Sequence, residues 1–265
     1  MLDSLDQTAR ALAGSITELA EGWVTHTPRL PQVWALNQLR LKAAVSAAMA
    51  LRLAEEHQGD LPYRHLVIED EGTVAELAAA VAPATGWHSE RLALMVLGPA
   101  QAGTTPGAKA PPGTRTAVAE LTQAEADELS RHWLEEDFPG AGPEVLAELQ
   151  ECGHLEARMW AERRLGVREA GGRALAMLKL RRHGAMAWVE DVYTLPAHRG
   201  RGYARRLLDR GIELLTAGRP DMIFIVADDN DWPKDLYRDV GFRPVGPFWQ
   251  VHRSPGLGPG IGPAA

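Results

Sequence analysis

The chain has 265 residues, 45% of them hydrophobic and 24% charged, with a formal net charge of -7. That length allows two modest domains or one large one, and the composition is that of a soluble globular protein. The acidic balance excludes a general nucleic-acid binder, a lone cysteine (Cys152) excludes a disulfide framework or a cysteine zinc cluster, and no run of about 18 apolar residues is present to span a membrane.

The N-terminal stretch M-L-D-S-L-D-Q-T-A-R has early acids and no apolar core of the kind a signal peptide needs, so the expected compartment is the cytoplasm. A helix is predicted from Leu2 to about Glu21, and a second, alanine-rich and without an internal breaker, from Leu41 to Glu56. Tyr63–Glu69 reads as a strand, Thr73–Ala82 as a helix and Glu90–Leu97 as a strand. This first part, residues 1–98, is expected to be a smaller mixed α/β domain with no catalytic constellation; Gly86-Trp87-His88 reads as a connecting turn. Residues 99–114, built from Gly, Pro, Ala and Thr without hydrophobic period, have linker composition.

The second part, residues 115–253, begins with a short strand at Thr116–Leu121 and a helix at Gln123–Glu136, with Thr122 as N-cap. A second helix is predicted over Pro143–Glu156. A three-strand meander then covers Met159–Arg168, Ala174–Arg182 and Ala185–Leu195, turning at Ala170–Arg173 and at His183-Gly184. A helix follows from Ala204 to Ala217, then a strand at Asp221–Asp228 that is apolar enough to be covered on both faces. Trp232–Val240 reads as a helix with Pro233 in its first turn and Gly241 ending it, and Phe242–His252 as a closing strand or hairpin. Residues 254–265 form a Gly/Pro tail that is expected to be disordered.

Chemistry concentrates between the third meander strand and the following helix, in H198-R-G-R-G-Y-A204. Ala204, Leu207, Leu208, Gly211, Ile212 and Leu215 share one helical face, so that face packs on the sheet and the helix N-terminus is anchored. Its unpaired N–H groups carry partial positive charge, glycine lets a ligand approach the backbone, and Arg199, Arg201, Arg205 and Arg206 add charge; the sum is a phosphate site. The loop lacks the Gly-Lys-Ser/Thr ending of a nucleoside-triphosphatase loop. It also lacks the third glycine of a dinucleotide fingerprint, and it follows a meander rather than a βαβ unit.

V189-E-D-V-Y-T-L-P-A-H-R-G-R-G-Y-A204 resembles the acyl-CoA signature Arg/Gln-x-x-Gly-x-Gly/Ala of the GNAT N-acetyltransferase superfamily, filled by Arg199, Gly202 and Ala204. V226-A-D-D-N-D-W-P-K-D-L-Y-R-D-V-G-F242 resembles a second segment of that family, with Asn230 and Tyr237 in matching places. The likeness covers about Thr116 to His252; residues 1–98 resemble, more weakly, a degenerate acetyltransferase-like half as in tandem members. It implies a mixed, mostly antiparallel sheet flanked by helices. The implied activity is acetyl transfer from acetyl-CoA to a primary amine of a small molecule or peptide, by direct attack in a ternary complex, with no metal, nucleic acid or membrane partner, in a monomer or homodimer.

The resemblance also implies roles. The strand carrying Val192, Tyr193 and Thr194 diverges from its neighbour after a β-bulge and hydrogen-bonds the pantetheine arm. Arg199, Gly200, Arg201, Gly202, Tyr203 and Ala204 hold the pyrophosphate, mainly by N–H groups, and Asn230 bridges backbone and cofactor or caps the helix before Pro233. An alkylammonium must lose a proton before it attacks. Glu190 is the expected base; by alternation it shares a face with Val192 and Thr194, while Asp191 points away unless a bulge intervenes. Tyr237 matches the tyrosine that protonates the leaving thiolate. Cys152 and His154 read as structural, and Trp188, Trp232 and Trp249 as packing residues or pocket walls. A non-catalytic acyl-CoA-binding or regulatory module is the alternative, and residues 115–265 alone are expected to bind CoA.

Overall fold

The computed structural model describes residues 2–81, 86–98, 117–169 and 172–254. The expected linker at 99–114, the tail from 255 onward, and Ala170 and Gly171 of the predicted turn lie outside the described residues. Seven helices are present among them: α1 (Leu2–Leu12), α2 (Ala47–Gln58), α3 (Glu71–Ala80), α4 (Gln123–Asp137), α5 (Pro143–Met159), α6 (Tyr203–Ala217) and α7 (Pro233–Asp239). The strands are β1 (Ser15–Glu18), β2 (Gly22–His26), β3 (Leu39–Leu41), β4 (Arg64–Ile68), β5 (Trp87–Leu97), β6 (Val118–Glu120), β7 (Arg163–Arg168), β8 (Ala174–His183), β9 (Met186–Thr194), β10 (Met222–Asp228) and β11 (Phe242–Arg253). No helix among the described residues is long and apolar enough to cross a membrane.

Two compact units emerge, and neither is contiguous in sequence. The first takes residues within 1–92, 137–156 and 247–263; the second takes 93–136 and 157–246. The composition of 99–114 suggests instead two contiguous halves. In the first unit β1, β2 and β3 form an antiparallel meander, α2 crosses over so that β4 runs parallel to β3, and Trp249–Arg253 of β11 pairs antiparallel with β4. In the second, β6 to β9 are successively antiparallel, α6 crosses over to bring β10 parallel to β9, and the latter part of β5 lies beside β10. The architecture is mixed α/β with mostly antiparallel pairing, as the resemblance implies.

Two predicted helices are corrected. Leu2–Glu21 is not one helix: α1 stops at Leu12 and β1 and β2 form a hairpin. Tertiary pairing decides this, because a Cβ on Gly22 would sit 1.8 Å from the Arg40 carbonyl oxygen, so glycine alone lets β2 close on β3. Leu41 likewise ends strand β3, paired with Ile68, and α2 begins later behind Ser46, whose Oγ accepts the Met49 N–H at 3.3 Å. Around α4 the expectation holds: Thr122 Oγ1 accepts the Glu125 N–H and Glu125 returns the bond to the Thr122 N–H at 2.7 Å, a capping box.

Each unit has its own core. In the second, Leu207, Leu208, Gly211 and Leu215 of α6 pack over Leu178 and Leu180 of β8; a Cβ on Gly211 would stand 3.0 Å from both leucines. In the first, α2 and α3 cover Leu39, Leu41, Leu66 and Ile68. Cys152 is buried beside Leu30, Val33 and Leu36, in the structural role expected of it.

Candidate active site

The site begins where two parallel strands part. β9 and β10 pair only through Met186–Met222, Ala187–Ile223 and Trp188–Phe224, although β9 continues to Thr194 and β10 to Asp228. The last pair is held by stacking of Trp188 on Phe224, with centroids 5.5 Å apart and planes 13° apart. Beyond it the β10-facing edge of β9 is left without its parallel partner.

The other edge of β9 supplies the cause. Glu190 lies opposite Lys179 on β8 and Tyr193 opposite Met177, so Asp191 and Val192 together face the single residue Leu178. This is a β-bulge, and Asp191 adopts the left-handed conformation with φ 48°. A bulge bends its strand and increases the local twist, which turns the end of β9 away from β10. It also overturns the simple alternation: the face that carries Glu190 continues to Tyr193, not to Val192 and Thr194.

β9 stays zipped to β8 as far as Leu195, whose N–H reaches the Leu175 carbonyl at 2.9 Å. A 3-10 turn at Pro196–His198 then leads through Gly200 (φ 74°) to Gly202 (φ 75°), the N-cap of α6. Among the described residues a Cβ at either glycine would meet nothing within 4 Å, which leaves these residues clear of the approach to the helix N-terminus. The Gly202 carbonyl accepts the Arg206 N–H at 3.2 Å, which leaves the first-turn N–H groups, including those of Tyr203 and Ala204, as anion donors.

The arginines are arranged differently from the expectation. Arg199 donates from Nε to the Thr194 carbonyl at 3.1 Å and grips Glu136 at 2.5 and 2.7 Å, while the Tyr193 hydroxyl donates to the same carboxylate at 3.1 Å. Arg199 thus ties the end of β9 to α4. Arg205 pairs with Asp209, and Arg201 reaches the Ala197 carbonyl at 3.4 Å. The Tyr203 ring is buried in the core, so only its backbone faces the loop.

A row of charges crosses the sheet beside the bulge. Register places Arg164, Lys179 and Glu190 side by side on β7, β8 and β9. Glu162 binds both Arg164 (2.7 Å) and Arg181 (2.9 Å), and Arg181 lies 3.8 Å from Glu190. Lys179 pairs with Asp191; burial pulls its pKa down, but Asp191 and Glu162 outweigh burial and neighbouring Arg181, so it is raised. Asp191 is therefore committed to Lys179, whereas Glu190 stays half-buried at the parting of the strands.

Tyr237 of α7 lies buried within electrostatic reach of Glu190 and Asp191; burial first, then Glu190, Asp231 and Asp191, push its pKa well above the usual phenol value, so it keeps its proton. Asn230 does not cap α7, whose N-cap is Trp232; it sits exposed in a turn with its N–H on Asp228 at 2.8 Å. Trp188 and Trp249 are core residues, and Trp232 is 64% exposed. The sequence reading missed Glu136, Glu162, Arg164, Lys179 and Arg181; the available signal was Lys179 and Arg181 alternating with the leucines of β8 after the apolar run Ala174–Leu178. Among the described residues no group of three or more His, Cys, Asp or Glu is placed to hold a metal ion.

Residues 127–242 match the model of the Acetyltransferase (GNAT) family. Among solved structures, a conserved protein of unknown function from Staphylococcus epidermidis ATCC 12228 is similar with a TM-score of 0.69 at 12% identity, over 91% of this chain and 94% of that one. A GCN5-related N-acetyltransferase from Kribbella flavida is similar with a TM-score of 0.61 at 15% identity, over 96% of this chain and 95% of that one. At these identities the likeness is one of fold. No curated protein matches the chain in sequence.

Proposed function

We propose, from the premise that this chain belongs to the GNAT acetyltransferase superfamily through residues 127–242, that it moves an acetyl group from acetyl-CoA to a primary amine. The observation that carries the reading is the parting of β9 from β10 above a glycine-opened helix N-terminus. A thioester carrier needs both features: a free strand edge for the amide-bearing pantetheine arm and an anion cradle for its diphosphate. The backbone of Val192, Tyr193 and Thr194 suits the first. The N–H groups from Gly200 to Ala204 suit the second, with Arg199 shaping the loop and Asn230 a further candidate contact from the exposed turn before α7.

In this mechanism Glu190 removes a proton from the acceptor ammonium, directly or through water. The freed amine attacks the acetyl carbonyl, so the C–N bond forms as the C–S bond breaks. A β9 backbone N–H near Val192 polarises the carbonyl oxygen; the departing thiolate takes the Tyr237 proton, and the second proton shed by the acylated nitrogen returns to the phenolate, so the products are the amide and the CoA thiol. Burial raises the Tyr237 pKa, so the phenol holds its proton at neutral pH and releases it only as thiolate charge develops and the nitrogen proton is lost. The acceptor is a small amine or peptide, and residues 1–98 are read as an acetyltransferase-like half without a site of its own.

The test pairs calorimetry with thiol release over an amine panel. Tyr237→Phe is expected to lower kcat by about 10²–10⁴-fold with acetyl-CoA affinity little changed. Glu190→Gln is expected to lower kcat/KM and leave a rate that climbs with pH as the acceptor deprotonates unaided. Acetyl-CoA binding with no turnover on any amine, and no effect of either substitution, would favour a regulatory module instead.

A further inference from the structure

Lys179 has no role in the chemistry above, yet it is 7% exposed in the middle of β8. Lysine is rarely buried unless paired, and its partner here is the residue with the most unusual backbone in the sheet. Among the described residues only Asp191 and Arg219 are non-glycine residues with positive φ, and Asp191 sits at the bulge from which β9 turns away from β10. Aspartate tolerates that conformation better than most residues but does not prefer it, so something must hold it.

We infer that Lys179 is a positioning residue whose ammonium, paired with Asp191, pins the β9 bulge and so keeps the pantetheine edge of Val192–Thr194 free of β10. The inference rests on the acyl-CoA reading for its consequence, though not for its geometry. Other charges on that face are already arranged: Glu162 bridges Arg164 and Arg181, and Arg181 faces Glu190. With Lys179 removed, Asp191 is left as a half-buried carboxylate without its close partner, and the strand escapes by swinging Asp191 out and giving up the bulge. A strand that loses one bulged residue shifts every following side chain to the other face. The two adjacent acids thus have different partners: Asp191 pairs with the Lys179 ammonium, and Glu190 faces Arg181 at 3.8 Å.

A merely structural ion pair and a conformational pin give opposite answers when the whole pair is replaced. K179M/D191G removes both charges and puts glycine, free at positive φ, at the bulge; K179M/D191A removes the same charges but disfavours it. Acetyl-CoA affinity is measured by calorimetry on the full chain and turnover by thiol release. Lys179→Met is expected to weaken acetyl-CoA binding by about tenfold or more, K179M/D191G to return to within about threefold of the parent, and K179M/D191A to stay weak. Equal recovery in both double variants, or unimpaired binding by Lys179→Met, overturns the pin. Crystal structures of the two double variants read the bulge without ligand: kept with glycine, lost with alanine. If the parent chain itself fails to bind acetyl-CoA, the functional reading falls while this last comparison still decides the pin.

Discussion

Tyr237 and His252 are both buried, and burial acts on them in opposite directions while keeping each neutral. For Tyr237 it keeps the phenol protonated. For His252 it prevents one from being taken up: burial, then the nearby His65 and His88, push its pKa down to about 3, and burial takes His65 down to about 4. The His252 ring lies tilted 4.9 Å from Trp34 and 5.6 Å from His88, and among the described residues neither of its ring nitrogens has a hydrogen-bond partner. The unfolded chain protonates both imidazoles near pH 6.5, well before the folded chain does. Stability is therefore undiminished above about pH 6.5 and is lost as pH falls from there toward about 4 for His65 and about 3 for His252, by an amount on the order of 3 kcal/mol or more together. Replacing His252 with Phe keeps a ring against Trp34 and His88 and removes the larger part of that linkage. The drop in Tm between pH 7.5 and pH 5 is expected to be smaller in His252→Phe than in the parent; an equal drop refutes the assignment. Nothing in the sequence marks these histidines, because His65, His88 and His252 meet only through strand pairing.

At the scale of elements, the local signals that were legible are those in which sequence neighbours act on each other. The capping box at Thr122, the apolar face of α6, Pro233 opening α7 and Gly241 ending it are all local. The hairpin β1–β2, strand β3 and the bulge at Asp191 are imposed by distant pairing, and the first two were lost for that reason. Gly202 belongs to the legible class and gives a clean test. Its φ of 75° is unfavourable for alanine, yet an added Cβ meets no atom of the described residues within 4 Å. The stability cost of Gly202→Ala is then backbone strain alone, about 1–2 kcal/mol in chemical denaturation. The same methyl group stands at the mouth of the α6 N-terminus, where it obstructs a diphosphate, so acetyl-CoA affinity is expected to fall by about tenfold or more. Loss of stability with affinity unchanged would show that the diphosphate sits elsewhere.

For the whole molecule, the two units repeat one plan: an antiparallel meander, a helical crossover to a parallel strand, then a further helix and strand. The sequence shows the repeat only as a weak likeness of residues 1–98 to an acetyltransferase-like half, because its first strands read as helix. In the first unit the crossover is closed. β3 and β4 stay paired to Leu41–Ile68, the Ala47 N–H at the start of α2 is taken by Glu76 at 3.2 Å, the Val45 N–H by Thr73 at 3.0 Å, and Ser46 caps the helix. A carboxylate of the chain itself thus takes the N–H at the start of α2. The plan also changes what a truncation does. Composition suggests cutting at 99–114 and expecting residues 115–265 to bind CoA. The second unit, however, includes the end of β5, which lies beside β10 and buries Ala93, Met95 and Leu97 in that unit's core. Removing it strips one strand from the sheet, leaves the apolar β10 as an open edge, and uncovers its core neighbours. The 115–265 fragment is accordingly expected to be unfolded or aggregated by circular dichroism and light scattering, whereas one that retains residues 86–98, joined by a short linker, recovers more secondary structure. A soluble, cooperatively melting 115–265 fragment that binds acetyl-CoA as tightly as the full chain would show that β5 is dispensable to this unit.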